Sequence, residues 1–189
     1  MNPSQLNYKK TSRIKGFTIV ELMVTIAIAA ILLSVAAPSY TTFIRNSQLS
    51  DAVGEFMAAV NAARGNAIKQ GINTYLVPTT GTDWSTGWYV FADGNWDGVY
   101  TANDPKDVLI MQSPAPNSIL TVATPSADSL TNGYLLFNGS GYPKKKLPDT
   151  GFATGQIVMA NTGRSTTVMI SNTGRVRSCK TNTTGCTVP

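Results

Sequence analysis

The sequence predicts an α+β protein, a long N-terminal helix packed on antiparallel β-sheet. Residues 17–71 read as helix throughout, first wholly apolar and then striped, and residues 72–189 break into short β-rich runs separated by turn formers. With 189 residues, 42% apolar and 13% charged, the chain has the composition of a globular protein with room for one core and an extra segment.

The helix has two parts. Phe17 to Ala37, FTIVELMVTIAIAAILLSVAA, holds one ionisable side chain, Glu21. At about 1.5 Å of rise per residue it spans roughly 30 Å, the thickness of a bilayer's hydrocarbon core. It is expected to cross a membrane, with Lys9, Lys10, Arg13 and Lys15 on the cytoplasmic side and everything after Ala37 outside. A cleaved secretory signal has a shorter apolar region with the small residue after it, whereas here Gly16 comes before. From Pro38 the pattern continues to about Gly71, with Leu49, Val53, Phe56, Met57, Val60, Ala67 and Ile68 at three- and four-residue steps, one stripe for a sheet to cover. Gly71 is the expected stop.

Beyond it, Thr74–Val77, Trp88–Phe91, Val108–Met111, Ile119–Val122, Tyr134–Phe137, Ile157–Ala160 and Thr167–Ile170 are bounded by Gly, Pro, Asn, Asp or Ser and read as strands. Trp88 and Phe91 read as core.

The net charge of +5 is unevenly spread. Residues 1–16 carry +4, residues 17–50 cancel, residues 51–128 carry −5 and residues 129–189 carry +6. An acidic middle and a basic C-terminal third are more informative than the total.

The join Lys15-Gly16-Phe17-Thr18-Ile19-Val20-Glu21 resembles the processing site of type IV pilins and type II secretion pseudopilins. The resemblance implies cleavage after Gly16 by a prepilin peptidase, N-methylation of Phe17, and a glutamate at the fifth mature position, which Glu21 supplies; Pro38 falls where many members have a helix-bending proline. The 16-residue leader is longer than in many members. A carboxylate in a membrane segment is costly and usually paired, and the implied partner of Glu21 is the methylated amine of a neighbouring subunit. Four segments follow: a cleaved leader, 1–16; a hydrophobic transmembrane and filament-core helix, 17–37; its continuation into the soluble domain, 38–71; and a β-rich periplasmic or pilus-exposed domain, 72–189, in a type IV pilin-like fold. The implied partners are the prepilin peptidase, other major and minor pilins and, before assembly, the inner membrane. The assembled location is the pilus at the cell surface. Loss of the leader would leave a net charge of +1, with its positive side in the C-terminal third.

The strand GWYVFAD, Gly87–Asp93, and the closing TTVMISNTGRVR, Thr166–Arg177, are most similar to the minor-pilin and pseudopilin group of FimT, FimU and GspH. The tail repeats Asn161-Thr-Gly-Arg164 and Asn172-Thr-Gly-Arg175, each suited to a positive-φ turn that punctuates a hairpin. If residues 174–177 are a strand, Arg175 and Arg177 share a face and Val176 points inward. Two guanidiniums there, with Lys180 beyond and Arg164 in support, form a phosphate-binding fork. The FimT group is associated with DNA binding through a Gly-Arg-x-Arg element, matched by Gly174, Arg175 and Arg177, which implies capture of double-stranded DNA in natural transformation. The alternatives are cations that discourage sheet-edge pairing, and a purely structural minor pilin or pseudopilin that primes assembly of a pilus or secretion pseudopilus.

Lys144, Lys145 and Lys146, with Tyr142 as a stacking face, form a second basic patch that belongs to the site only if folding brings it beside Arg175. Cys179 and Cys186, the only cysteines, flank six residues on the oxidising side of the membrane, and a disulfide tying the tail is expected. Two thiols without histidine disfavour a zinc-type metal site. Asp93, Asn95 and Asp97, with Gly98 at step six and Asp104 at step twelve, resemble a calcium loop, but a turn closed by Asx hydrogen bonds is preferred. With no histidine to serve as base, no phosphate-binding glycine loop and no Gly-x-Ser-x-Gly, an enzyme is the least expected class and no cofactor is expected. For a surface adhesin the sequence offers no ligand site.

Overall fold

The computed structural model describes residues 16–124, 129–149 and 151–186; residues 1–15, with most of the expected leader, lie outside them. The described chain holds the helix α1 (Ile19–Gln70) and nine strands: β1 (Asn73–Thr80), β2 (Asp83–Asp93), β3 (Asp107–Ser113), β4 (Thr121–Ala123), β5 (Leu135–Phe137), β6 (Pro143–Lys144), β7 (Gly155–Ala160), β8 (Ser165–Ile170) and β9 (Val176–Lys180). The chain divides into two compact units between Thr41 and Thr42.

In the first unit the apolar segment is helical from Ile19, and its large apolar side chains are exposed. Its most apolar stretch, of mean hydropathy 2.6, is long and apolar enough to cross a membrane. Pro38, which has no N–H for the preceding turn, lies inside the helix without ending it. The helix starts with a capping box: the Thr18 hydroxyl accepts the Glu21 N–H (3.2 Å), and Glu21 Oε2 accepts both the Thr18 N–H and its hydroxyl (3.0 Å each).

In the second unit Leu49, Ala52, Val53, Phe56, Ala59, Val60, Ala63 and Ala67 are the buried face of α1. Ala59 and Ala63 were not part of the sequence stripe, and Ile68, which was, is 53% exposed. The helix stops where expected: Gly71 takes φ +71° and its N–H bonds Ala67 O at 2.8 Å.

The strands form two antiparallel sheets, a five-stranded one in the order β3-β2-β1-β5-β6 and a four-stranded one in the order β4-β7-β8-β9. Both face the helix. Phe56 sits edge-on to Trp84 and Trp88 (centroids 5.6 and 5.2 Å), and Leu76, Val90, Leu135 and Phe137 of one sheet share its core with Ile157, Met159, Val168 and Ile170 of the other. Trp88 and Phe91 are both buried but on opposite faces of β2: Phe91 stacks on Tyr75 (5.2 Å) in a small second cluster with Leu136 on the outer face. The seven expected strands all occur with shifted ends. The largest shift is at β2, which begins at Asp83 where Trp88 was the expected start; β4 begins at Thr121 and leaves Ile119 exposed. β6 has no alternating pattern to reveal it, being two residues long and starting with a proline.

Candidate nucleic-acid interface

The basic tail is an edge hairpin. Among the described residues β9 pairs with β8 alone, with Ile170 opposite Val176, Met169 opposite Arg177 and Thr167 opposite Cys179. At the turn, Gly174 N–H bonds Ser171 O (2.8 Å) and Ser171 N–H bonds Arg175 O (3.0 Å), closing the three-residue loop Asn172-Thr173-Gly174. Such a loop needs a left-handed third residue, and Gly174 has φ +79°. There is also no space for a side chain: a Cβ at Gly174 would lie 2.8 Å from Gly141 O and 3.1 Å from the Phe137 ring. Arg64 of α1 holds the turn from below, its Nη1 donating to Gly174 O at 3.2 Å. Arg64 could not have been assigned from the sequence, because it lies 110 residues from its acceptor.

This anchored turn places Arg175 and Arg177 along one shallow cleft of about 420 Å³, whose wall also includes Met169, Ser171 and Thr173. Both guanidiniums are exposed, and Val176 is half-buried against the core, as strand alternation predicts. Among the described residues the Arg175 side chain has no hydrogen bond or ion pair, and Arg177 Nη2 donates to Gly185 O (3.2 Å). Gly185 belongs to the small loop closed by the Cys179–Cys186 disulfide, whose Cα atoms are 5.8 Å apart. The bridge thereby holds the carbonyl that fixes one guanidinium.

The other expected cations are arranged differently. Strand alternation puts Lys180 on the face opposite Arg175 and Arg177, and its register partner is Thr166, near the far end of β8. Arg164 precedes β8 and is therefore at the end away from Arg175. Its turn is built unlike that of Gly174. Asn161 N–H bonds Arg164 O (2.9 Å), Asn161 Oδ1 accepts Gly163 N–H (2.9 Å) and Arg164 N–H (2.8 Å), and neither Thr162 nor Gly163 has a positive φ. The expectation of a positive-φ glycine thus holds at Gly174 and fails at Gly163, because the Asn161 side chain closes the first turn.

The lysine triplet does not join the arginine cleft. Lys144 Nζ lies 3.9 Å from the centroid of the Phe152 ring, Lys145 pairs with Asp149 at 2.7 Å, and Lys146 Nζ donates to Gly98 O at 2.9 Å. They line a separate cleft that shares no residue with the arginine cleft. Tyr142, their expected stacking face, packs edge-on against Phe152 instead (5.8 Å).

The Asp93 loop is closed by its own amides. Asp93 is buried and accepts Trp96 N–H (2.7 Å) and Gly98 N–H (2.9 Å), while Asn95 Nδ2 donates to Asp97 and Asp104 (2.9 Å each). These are the Asx hydrogen bonds of a turn. Among the described residues no three His, Cys, Asp or Glu side chains are grouped to hold a metal ion.

A long N-terminal helix with a capped, apolar first part, its second part buried under antiparallel sheets, is the type IV pilin fold. The crystal structure of the Pseudomonas aeruginosa type IV minor pilin FimU superposes with a TM-score of 0.52 at 19% identity, covering 71% of this chain and 90% of that one. The family described as type II transport protein GspH matches residues 52–174, and the prokaryotic N-terminal methylation motif matches residues 11–37. The fimbrial protein of Moraxella nonliquefaciens is 31% identical over 137 residues, 72% of this chain and 74% of that protein. Fimbrial protein Q of Moraxella bovis is 50% identical over 52 residues, 26% of this chain. That match spans about a third (33%) of the relative's length. The chain belongs to the GspH family of type IV minor pilins and pseudopilins.

Proposed function

We propose that this protein is a minor type IV pilin that captures double-stranded DNA for uptake in natural transformation. Arg175 and Arg177 are the leading phosphate contacts, and Arg164 and Lys180 are subsidiary contacts at the other end of the hairpin. The observation that carries the reading is the pair of exposed guanidiniums on an anchored edge hairpin, in a C-terminal third whose one acid, Asp149, is already paired with Lys145. Guanidiniums bind phosphates bidentately without reading bases, so affinity should be salt-dependent and indifferent to sequence. On this reading the chain is cut after Gly16 by a prepilin peptidase, methylated at Phe17 and held in the inner membrane with its C-terminus outside. It then joins other pilins through the apolar helix, with Glu21 meeting a neighbour's amine, and it has no catalytic role.

The test is titration of a short DNA duplex with the full chain in detergent micelles over a range of salt. Arg175→Gln and Arg177→Gln should each lower the log–log salt slope by about 1, and together remove most of the binding. Absence of binding at moderate salt ends the DNA reading and leaves a structural one, in which the protein primes assembly of a pilus or secretion pseudopilus and the cations protect the β9 edge. In cells, the double variant should assemble pili and lose transformation; loss of both favours the structural reading.

A further inference from the structure

We propose that the cleft between the β2–β3 loop and the segment Lys144–Leu147 binds an acidic saccharide, one or two sugar units carrying a carboxylate. The site is separate from the arginine cleft, and its fate does not depend on DNA binding.

The cleft holds about 520 Å³, within the usual range of small-molecule sites, roughly 300–1,000 Å³. One wall is Trp96, which is 65% exposed and held at φ +68°, a backbone conformation disfavoured for an aromatic residue. A turn alone would be served there by glycine or asparagine. The buried Asp93 carboxylate fixes this conformation through the Trp96 N–H, so the indole is displayed on a rigid support and packs in neither apolar cluster. The floor is Tyr75, packed on Phe91; burial pushes the pKa of the Tyr75 hydroxyl up to about 12, with the Asp93 carboxylate adding to the shift.

The opposite wall is basic. Lys144, Lys145 and Lys146 face a single lining acid, Asp97, and each ammonium keeps donors beyond its present partner. Asn138 uses its Oδ1 for the Ser140 and Tyr142 N–H groups, and among the described residues its Nδ2 has no partner and the side chain of Asn73 makes no hydrogen bond. A flat indole face suits the weakly positive C–H face of a sugar ring. Amides suit its hydroxyls, and the lysine excess selects a carboxylate. A nucleic-acid strand fits less well, since its row of phosphates would also meet Asp97 on the Trp96 side, whereas a single carboxylate can lie on the lysine wall alone.

The experiment is calorimetry on the full chain in detergent micelles with oligogalacturonate, a hyaluronan fragment and sialyllactose, against neutral maltohexaose and lactose and a single-stranded DNA oligomer. At least one acidic saccharide should bind, more weakly as salt rises, and bind in preference to the neutral sugars. Trp96→Gly, which removes the ring and suits the positive φ, should weaken binding about tenfold or more without lowering the melting temperature. Lys144→Gln with Lys145→Gln should remove the preference for acidic sugars. The proposal is overturned if no acidic saccharide binds at millimolar concentration, if neutral sugars bind equally well, if only the DNA oligomer binds, or if Trp96→Gly binds as the parent does.

Discussion

In the first of the two Asn-Thr-Gly-Arg segments Asn161 ends the strand side of a two-residue loop; in the second that position belongs to Ser171, and Asn172 has moved into a three-residue loop. The frame shift changes what each letter does. Asn161 holds its turn together through four hydrogen bonds, two of them to Arg45 O (3.0 Å) and Asn46 Oδ1 (3.1 Å). Asn172 is exposed and among the described residues makes none with its side chain, whereas Gly174 carries the positive φ and the close approach to Gly141. A repeat in sequence is therefore not a repeat in structure, because a turn's closure depends on which residue faces the last strand pair.

Paired substitutions measure that difference by thermal unfolding. Gly174→Ala should cost about 2–4 kcal/mol, from the left-handed backbone together with overpacking against a carbonyl. Gly163→Ala should stay within about 0.5 kcal/mol, since a Cβ there meets nothing within 4 Å. Equal melting temperatures for the two would break the comparison. Asn161→Ala should cost about 1–2 kcal/mol and Asn172→Ala less than about 0.5 kcal/mol; the reverse order would mean that the two frames are misassigned. Arg64→Met removes the tether beneath the second turn alone, and a loss of about 1 kcal/mol is expected. The smallest effect is on binding: Arg164→Gln should change the DNA salt slope by less than the shift of about 1 expected for Arg175→Gln. Equal shifts would make the whole hairpin, not its anchored end, the DNA contact.

The fold was largely legible because its determinants are local. The apolar run, the Leu49–Val60 stripe, the Gly71 stop and the turn-bounded strands are each encoded within a few residues. Alternation along β9 likewise gave the shared face of Arg175 and Arg177. The failures are long-range. Arg64 reaches Gly174 across 110 residues, the division of the strands into two sheets depends on pairing, and the lysines were grouped by adjacency although each amine has a different partner. The exposure of Trp96 is not legible either, because nothing in Asp-Gly-Asn-Trp-Asp-Gly reveals that the turn points its indole outward.

The Thr18–Glu21 box has a consequence for exchange between lipid and filament. Both Thr18 donors fall on Oε2, and among the described residues Oε1 takes no bond. On the filament reading, the carboxylate can greet an incoming ammonium with one oxygen while the other keeps its helix end closed. A subunit changing neighbours then need not fray its first turn: recruitment adds a contact to a site already half satisfied.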